Sequence, residues 1–182
     1  MTPPADPAQP APYVPASVRW HLSHSQDVRA REIADRHYSR GTPGSLRFVP
    51  PGACAVFWMP GAYWVTLVQR PEYVKHAWPR AWMCSAFRNE RGADQRSSEL
   101  IVEALAASRA VLGEPPPEGI ITFVDTRKVR RKRDPGRCFL KAGFRPVGLT
   151  QDLGLLVLHL GPEAFPAPLA PFGFQPSFAM SA

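Results

Sequence analysis

Cysteine is scarce in this 182-residue chain, and Cys54, Cys84 and Cys138 are odd in number and far apart. None of them sits in a C-x-x-C or H-x-E pattern, so neither a disulfide framework nor a zinc deaminase site is expected, and a reducing compartment fits. No stretch approaches the ~18 consecutive apolar residues of a membrane span. Residues 1–16 carry neither an apolar core nor a basic leader, which predicts a cytoplasmic protein that does not engage a membrane. Internal repeats are lacking as well, and the length suits one ordinary domain. Acid is the minority charge, 15 Asp and Glu against 22 Lys and Arg for a net +7. A surface of that sign gathers polyanions.

Proline is the abundant residue, 22 in all, crowded at both ends. We therefore expect a Pro-rich, poorly regular tail over 1–16, a folded domain over 17–160, and a Pro- and aromatic-rich extension over 161–182. Within the domain, Ser17 to His21 predicts a short strand. Ser25 predicts the cap of a helix running toward Gly41, with Ala30, Ile33, Ala34 and His37 on one stripe. Strands follow over 54–59, 63–69 and 82–87, the first two joined by a Met59-Pro60-Gly61-Ala62 turn. Ser97 predicts the cap of a long helix with Ile101, Ala104, Leu105, Ser108 and Leu112 inward, stopped by Pro115-Pro116-Pro117. The run Gly119 to Val124 is β-branched and continuous, as in a strand buried on both faces, and ends at Asp125. A short helix from Asp134-Pro135-Gly136 through Lys141, and two strands around 144–147 and 153–160, complete the order.

Several residues carry chemistry. Asp125 ends the most buried strand, where open α/β sheets place their sites, although an Asp there also caps turns. His37 and Tyr38 form a pair suited to proton relay and base stacking, or simply to packing. Arg88 offers a planar fork for a phosphate or carboxylate, or a surface ion pair with Glu90. Ser97 and Ser98 open a helix where backbone N–H groups hold anions. The run Arg127, Lys128, Arg130, Arg131, Lys132, Arg133, followed by Arg137, has no acid between Asp125 and Asp134, a pattern fitted to a DNA backbone. Trp58, Trp64, Trp78 and Trp82 are core candidates with a stacking platform as the alternative.

The element order, the loop running into a long helix, and Cys138-Phe139-Leu140-Lys141-Ala142-Gly143-Phe144 resemble the N-acetyltransferase (GNAT) superfamily. That resemblance implies an α/β fold with a mixed central sheet flanked by helices. The loop Arg88 to Asp94 departs from that superfamily's Gln/Arg-x-x-Gly-x-Gly/Ala cofactor pattern. Read together, His37-Tyr38-Ser39, Phe87-Arg88-Asn89-Glu90, Ser97-Ser98-Glu99-Leu100, and Thr122-Phe123-Val124-Asp125 with Arg133-Asp134-Pro135-Gly136-Arg137 resemble the Mom family of phage and prophage DNA modification enzymes. The resemblance implies conversion of adenine in double-stranded DNA, the base flipped out, to its N6-carbamoylmethyl form, which protects phage DNA from restriction. It implies a pocket of His37, Tyr38, Ser98 and Asp125 as catalytic residues, with Arg88 and Ser97 binding substrate or donor. It brings in an acyl-CoA-type donor and Fe(II) as cofactors. His37 and Asp125 are two candidate iron ligands without a third, so metal ligands stay unassigned, as does the oligomeric state. The alternatives are an N-acetyltransferase acting on a protein or small-molecule amine, and a DNA-binding protein without catalysis.

The basic run yields a test that owes nothing to any family. Replacing Arg130, Arg131 and Arg133 together by Gln should flatten the slope of log affinity for DNA against log salt by roughly two to three units, because each phosphate contact contributes about 0.9. An unchanged slope would put the run away from DNA.

Overall fold

The computed structural model describes residues 13–129 and 134–176. Its elements run β1 (His21–Ser23), α1 (Val28–Ala34), β2 (Cys54–Met59), β3 (Ala62–Val68), β4 (Trp82–Asn89), α2 (Ser97–Leu112), β5 (Ile120–Val124), α3 (Arg137–Lys141), β6 (Arg145–Leu149) and β7 (Leu156–Leu160). The strands make one seven-stranded mixed sheet in the order β1-β2-β3-β4-β5-β7-β6. Every neighbouring pair is antiparallel except β4 and β5, which are parallel. Among the described residues no helix is long and apolar enough to cross a membrane.

Helices cover both faces. On one, Ala30 and Ile33 of α1 pack with Phe48 and Val49 onto Val56, Tyr63 and Val65. On the other, Leu100, Ile101, Ala104 and Leu105 of α2 meet Trp20, Phe57, Trp64 and Ile120. Trp20 and Trp64 are fully enclosed and Trp82 nearly so, so these tryptophans are core. The indole N–H of Trp64 donates to Thr66 Oγ1, which shares a hydrogen bond with Ser108 Oγ, and that hydroxyl in turn donates to the Ala104 carbonyl. A polar chain buried to that depth is tolerable because each member is satisfied.

Three expectations shift by physical causes. The first helix starts at Val28, because Asp27 is its cap: the carboxylate accepts from Arg29 N–H and from Ser23 Oγ. It ends at Ala34, because the Asp35 carboxylate bonds Arg40 and Gly44 N–H and draws the chain into turns. His37 and Tyr38 therefore lie in those turns and not on a helical stripe. The first strand begins only at His21, since residues before it are committed elsewhere: Arg19 N–H donates to Glu103, and the Trp20 carbonyl accepts from Phe172 N–H. Ser97 is the first residue of α2 and not its cap, which is Arg96.

Residues 161–176 are irregular but tied down. Leu169 N–H bonds the Ala106 carbonyl, Phe165 is buried against Trp82, and Phe172 forms a parallel bridge with His21 at the sheet edge. This cover explains why α2 is buried well beyond one stripe, through Glu103, Ala106 and Ala107.

Glu103, 1% exposed, accepts from the Tyr13 hydroxyl, the Arg19 N–H and the Arg19 guanidinium. Replacing it by Ala leaves the Arg19 N–H without its acceptor and should cost about 1–3 kcal/mol in urea unfolding. A loss under ~1 kcal/mol would show that Arg19 simply turns out to water.

Candidate functional site

β4 and β5 pair over only three residues each, Trp82 to Cys84 with Ile120 to Thr122. The register of β3 against β4 passes from Val65↔Ala86 to Thr66↔Cys84, so Ser85 is an extra, bulged residue. A bulge bends its strand and raises its twist. Beyond it β4 runs on to Asn89 while β5 stops at Val124, and the two part. A cleft of about 1200 Å³ opens there, with Ser85, Phe87, Thr122 and Phe139 in its walls.

Six of the expected site residues line this cleft: His37, Tyr38, Arg88, Ser97, Asp125 and Lys128. They come from four separate stretches of chain, which the parting of one strand pair brings together. Lys128 is on the same rim, its Nζ donating to the Tyr38 carbonyl at 3.3 Å. Ser98 lines a smaller adjoining pocket of about 510 Å³, with Arg96, Arg137 and Lys141. Ser97 belongs to both spaces, its hydroxyl accepting from Asn89 Nδ2 at 3.1 Å. Arg130, Arg131, Lys132 and Arg133 lie outside the described residues.

Asp125 is 9% exposed. Its Oδ1 accepts from the backbone N–H and the Nε of Arg127, both at 3.0 Å, and its Oδ2 from Nη2 at 3.2 Å. Those bonds hold the carboxyl below its usual range, so it is anionic and already occupied. Arg127 is thus the clamp of Asp125. Arg137 is likewise paired, with Asp134.

His37 stacks on Tyr38 with centroids 4.5 Å apart. Its Nδ1 accepts from Ser39 N–H and meets Ser39 Oγ at 2.7 Å, while the Phe87 backbone favours the protonated ring. The proton of the neutral ring therefore sits on Nε2. Burial, with the Arg88 charge beside it, lowers its pKa to about 4. Tyr38 is pushed up by burial, with the Asp125 charge adding to the rise. His37 Nδ1 is engaged by Ser39 and Asp125 is clamped by Arg127, and no group of three or more His, Cys, Asp or Glu side chains gathers among the described residues.

Arg88 donates through Nε to Glu90 and through Nη1 to the Arg36 carbonyl, and among the described residues Nη2 has no hydrogen-bond partner. Glu90 also takes a two-pronged bond from Arg36, and these arginines lower its pKa to about 2. The cleft also holds Tyr63, Phe48, Arg40 and Arg47, none of which stood out in the sequence. Tyr63 alternates with Val65 on an apolar strand and reads as core. Arg40 and Arg47 lie in a loop whose fold rests on the Asp35 bonds. The chain matches no known protein family, no characterised protein and no solved structure.

His37 gives the site a pH signature. The unfolded chain binds this proton near pH 6.5 and the folded one only near 4, so stability is complete above about 6.5 and declines as pH falls toward 4. The slope should reach at most about 1.4 kcal/mol per pH unit, one proton's worth. Urea midpoints measured from pH 7 to 4.5 should show it, and His37→Gln should flatten it. A slope unchanged in the variant would assign the acid sensitivity elsewhere.

Proposed function

We propose that this protein is a transferase that modifies the N6 amino group of adenine in double-stranded DNA, forming N6-carbamoylmethyladenine as in phage anti-restriction systems, on a GNAT-like fold. The observation that carries the reading is the meeting of His37, Tyr38, Arg88, Ser97 and Asp125 in one cleft where parallel strands part. The sheet order and the covering helices support the fold. An adenine amine paired inside a duplex cannot reach Asp125, so a base must leave the helix stack to enter the cleft.

The N6 amine is a weak nucleophile, because its lone pair is delocalised into the ring. A carboxylate accepting one of its hydrogens returns electron density to nitrogen as it attacks. Asp125 suits this as a fixed anionic acceptor, its low pKa favouring hydrogen bonding over outright proton removal. Arg127 cannot clamp Asp125 and bind a DNA phosphate fully at once, so engagement of the basic run with DNA frees the carboxylate. Tyr38, on its His37 platform, supplies a flat face for the base and a protonated hydroxyl beside Asp125.

An acyl-CoA-type donor fits the smaller pocket. The start of α2 has no side-chain cap, and Arg96, Arg137 and Lys141 surround it. The N–H groups of Ser97 and Ser98 with those cations would hold its phosphates, and forming the carbamoylmethyl product requires N6 to bond the donor's methylene carbon as that carbon's leaving group departs, the N6 proton passing to solvent. This pocket favours a second reading, acyl transfer to an amine outside DNA, since it needs no nucleic acid.

Nucleosides from the DNA of cells expressing the chain should contain deoxyadenosine of increased mass, detected by mass spectrometry. Unmodified DNA together with acetylation of another amine would establish the second reading. Asp125→Asn should abolish the modified nucleoside while leaving the thermal midpoint within about 2–4 °C, roughly 0.5–1 kcal/mol, because the amide oxygen still accepts from Arg127 N–H. Activity within a few-fold of the parent would reduce Asp125 to a turn cap.

A further inference from the structure

Tyr63 sits in β3, opposite Trp58 in β2 and Arg88 in β4. Its ring is held edge-on by His37 at 6.4 Å and Phe48 at 6.0 Å, and the residue is 2% exposed. Its hydroxyl makes no hydrogen bond among the described residues, yet it is not one of their sealed, unpartnered atoms. The small exposure that remains is therefore at the hydroxyl, and it faces the cleft that Tyr63 lines.

A hydroxyl open to the cleft can be satisfied by water in the free protein, and a ligand that presents an acceptor there takes the place of that water. Burial pushes the phenol well above its ordinary pKa, so it stays protonated and works as a donor. Around it are the stacked His37–Tyr38 pair and Phe48, flat surfaces suited to a planar heterocycle.

We infer that the Tyr63 hydroxyl is the floor contact of the base pocket, donating a hydrogen bond to a ring nitrogen of adenine beside the reacting amine. The assignment rests on the reading of the cleft as an adenine pocket. N1 and N7 flank the amine and both accept, whereas thymine presents a ring N–H beside its carbonyls. Tyr63 thus disfavours thymine as well as seating adenine, with Asp125 as the acceptor for the amine.

The test is Tyr63→Phe with two readouts. The first is kcat/KM for adenine modification in duplex DNA. The second is calorimetric affinity for a single-stranded oligothymidine carrying one adenine, against all-thymine. The variant should keep the parent's thermal midpoint or exceed it, because no protein hydrogen bond is lost. Its kcat/KM should fall about 3- to 10-fold, the worth of one neutral hydrogen bond, and its preference for the adenine-bearing strand should shrink by a similar factor. DNA carrying 1-deaza- or 7-deazaadenine should lose the same factor with the parent at one of the two positions, and lose nothing further with the variant. An unaltered kcat/KM in a parent that modifies adenine overturns the inference and leaves the proposed function standing. If the parent modifies no adenine, the proposed function fails, and the oligonucleotide affinities decide: a preference lost in the variant supports the Tyr63 contact, and equal affinities overturn it.

Discussion

The seam between β4 and β5 carries the architecture. On one side stand β1 to β4, an antiparallel meander built from neighbouring stretches of chain; on the other stand β5, β7 and β6. Three residue pairs join them, and at the last pair the Thr122 hydroxyl donates to the Cys84 carbonyl. Past that point the bulge at Ser85 turns β4 away. A seam this short cannot hold two half-sheets by backbone bonds alone, and the work falls to α2, whose apolar side chains pack against residues of both halves. The cleft exists because the sheet is allowed to open on the side where α2 does not have to close it.

Scarcity of acid shapes what the open cleft presents. Asp35 is spent on Arg40, Glu90 on Arg36 and Arg88, and Asp125 on Arg127. Each carboxylate near the opening thus fixes the position of an arginine as much as it offsets its charge. Arg47 and Lys128, on the rim, have no ion pair among the described residues. The interior is aromatic and nearly neutral, with cations at the edge. An anionic chain with a flat, uncharged group to insert matches that order from outside to inside.

Much of this was legible in the sequence, for identifiable reasons. The strands 54–59 and 120–124 were read nearly to the residue, because continuous β-branched and aromatic runs bounded by turns have few other homes. The long helix was equally plain. The end of α1 was not, since apolar spacing continues through His37 while the chain turns on side-chain bonds from Asp35 to Arg40 and Gly44, contacts with no periodic signature. Asp125 was recognisable from its position at a strand end, but its clamp by Arg127 was not, because a run of like charges reads as a single surface. Tyr63 was invisible as a site residue for the opposite reason: alternation on a buried strand describes its ring correctly and says nothing of the hydroxyl.

The strap from Leu169 to Phe172 has a bearing on the order of assembly. Phe172 completes the outer edge of β1, joining positions 21 and 172 across most of the chain. Closing so long a loop costs entropy that only later contacts repay, whereas β2, β3 and their turn meet at once. Residues between Cys54 and Asn89 can therefore condense early around local pairings. The β1 edge must wait, with its N–H and C=O groups exposed to other chains, until the strap has been made and has reached it. The interval between those two events is when this protein is most open to mispairing, and it is set by the distance along the chain between two residues that end up side by side.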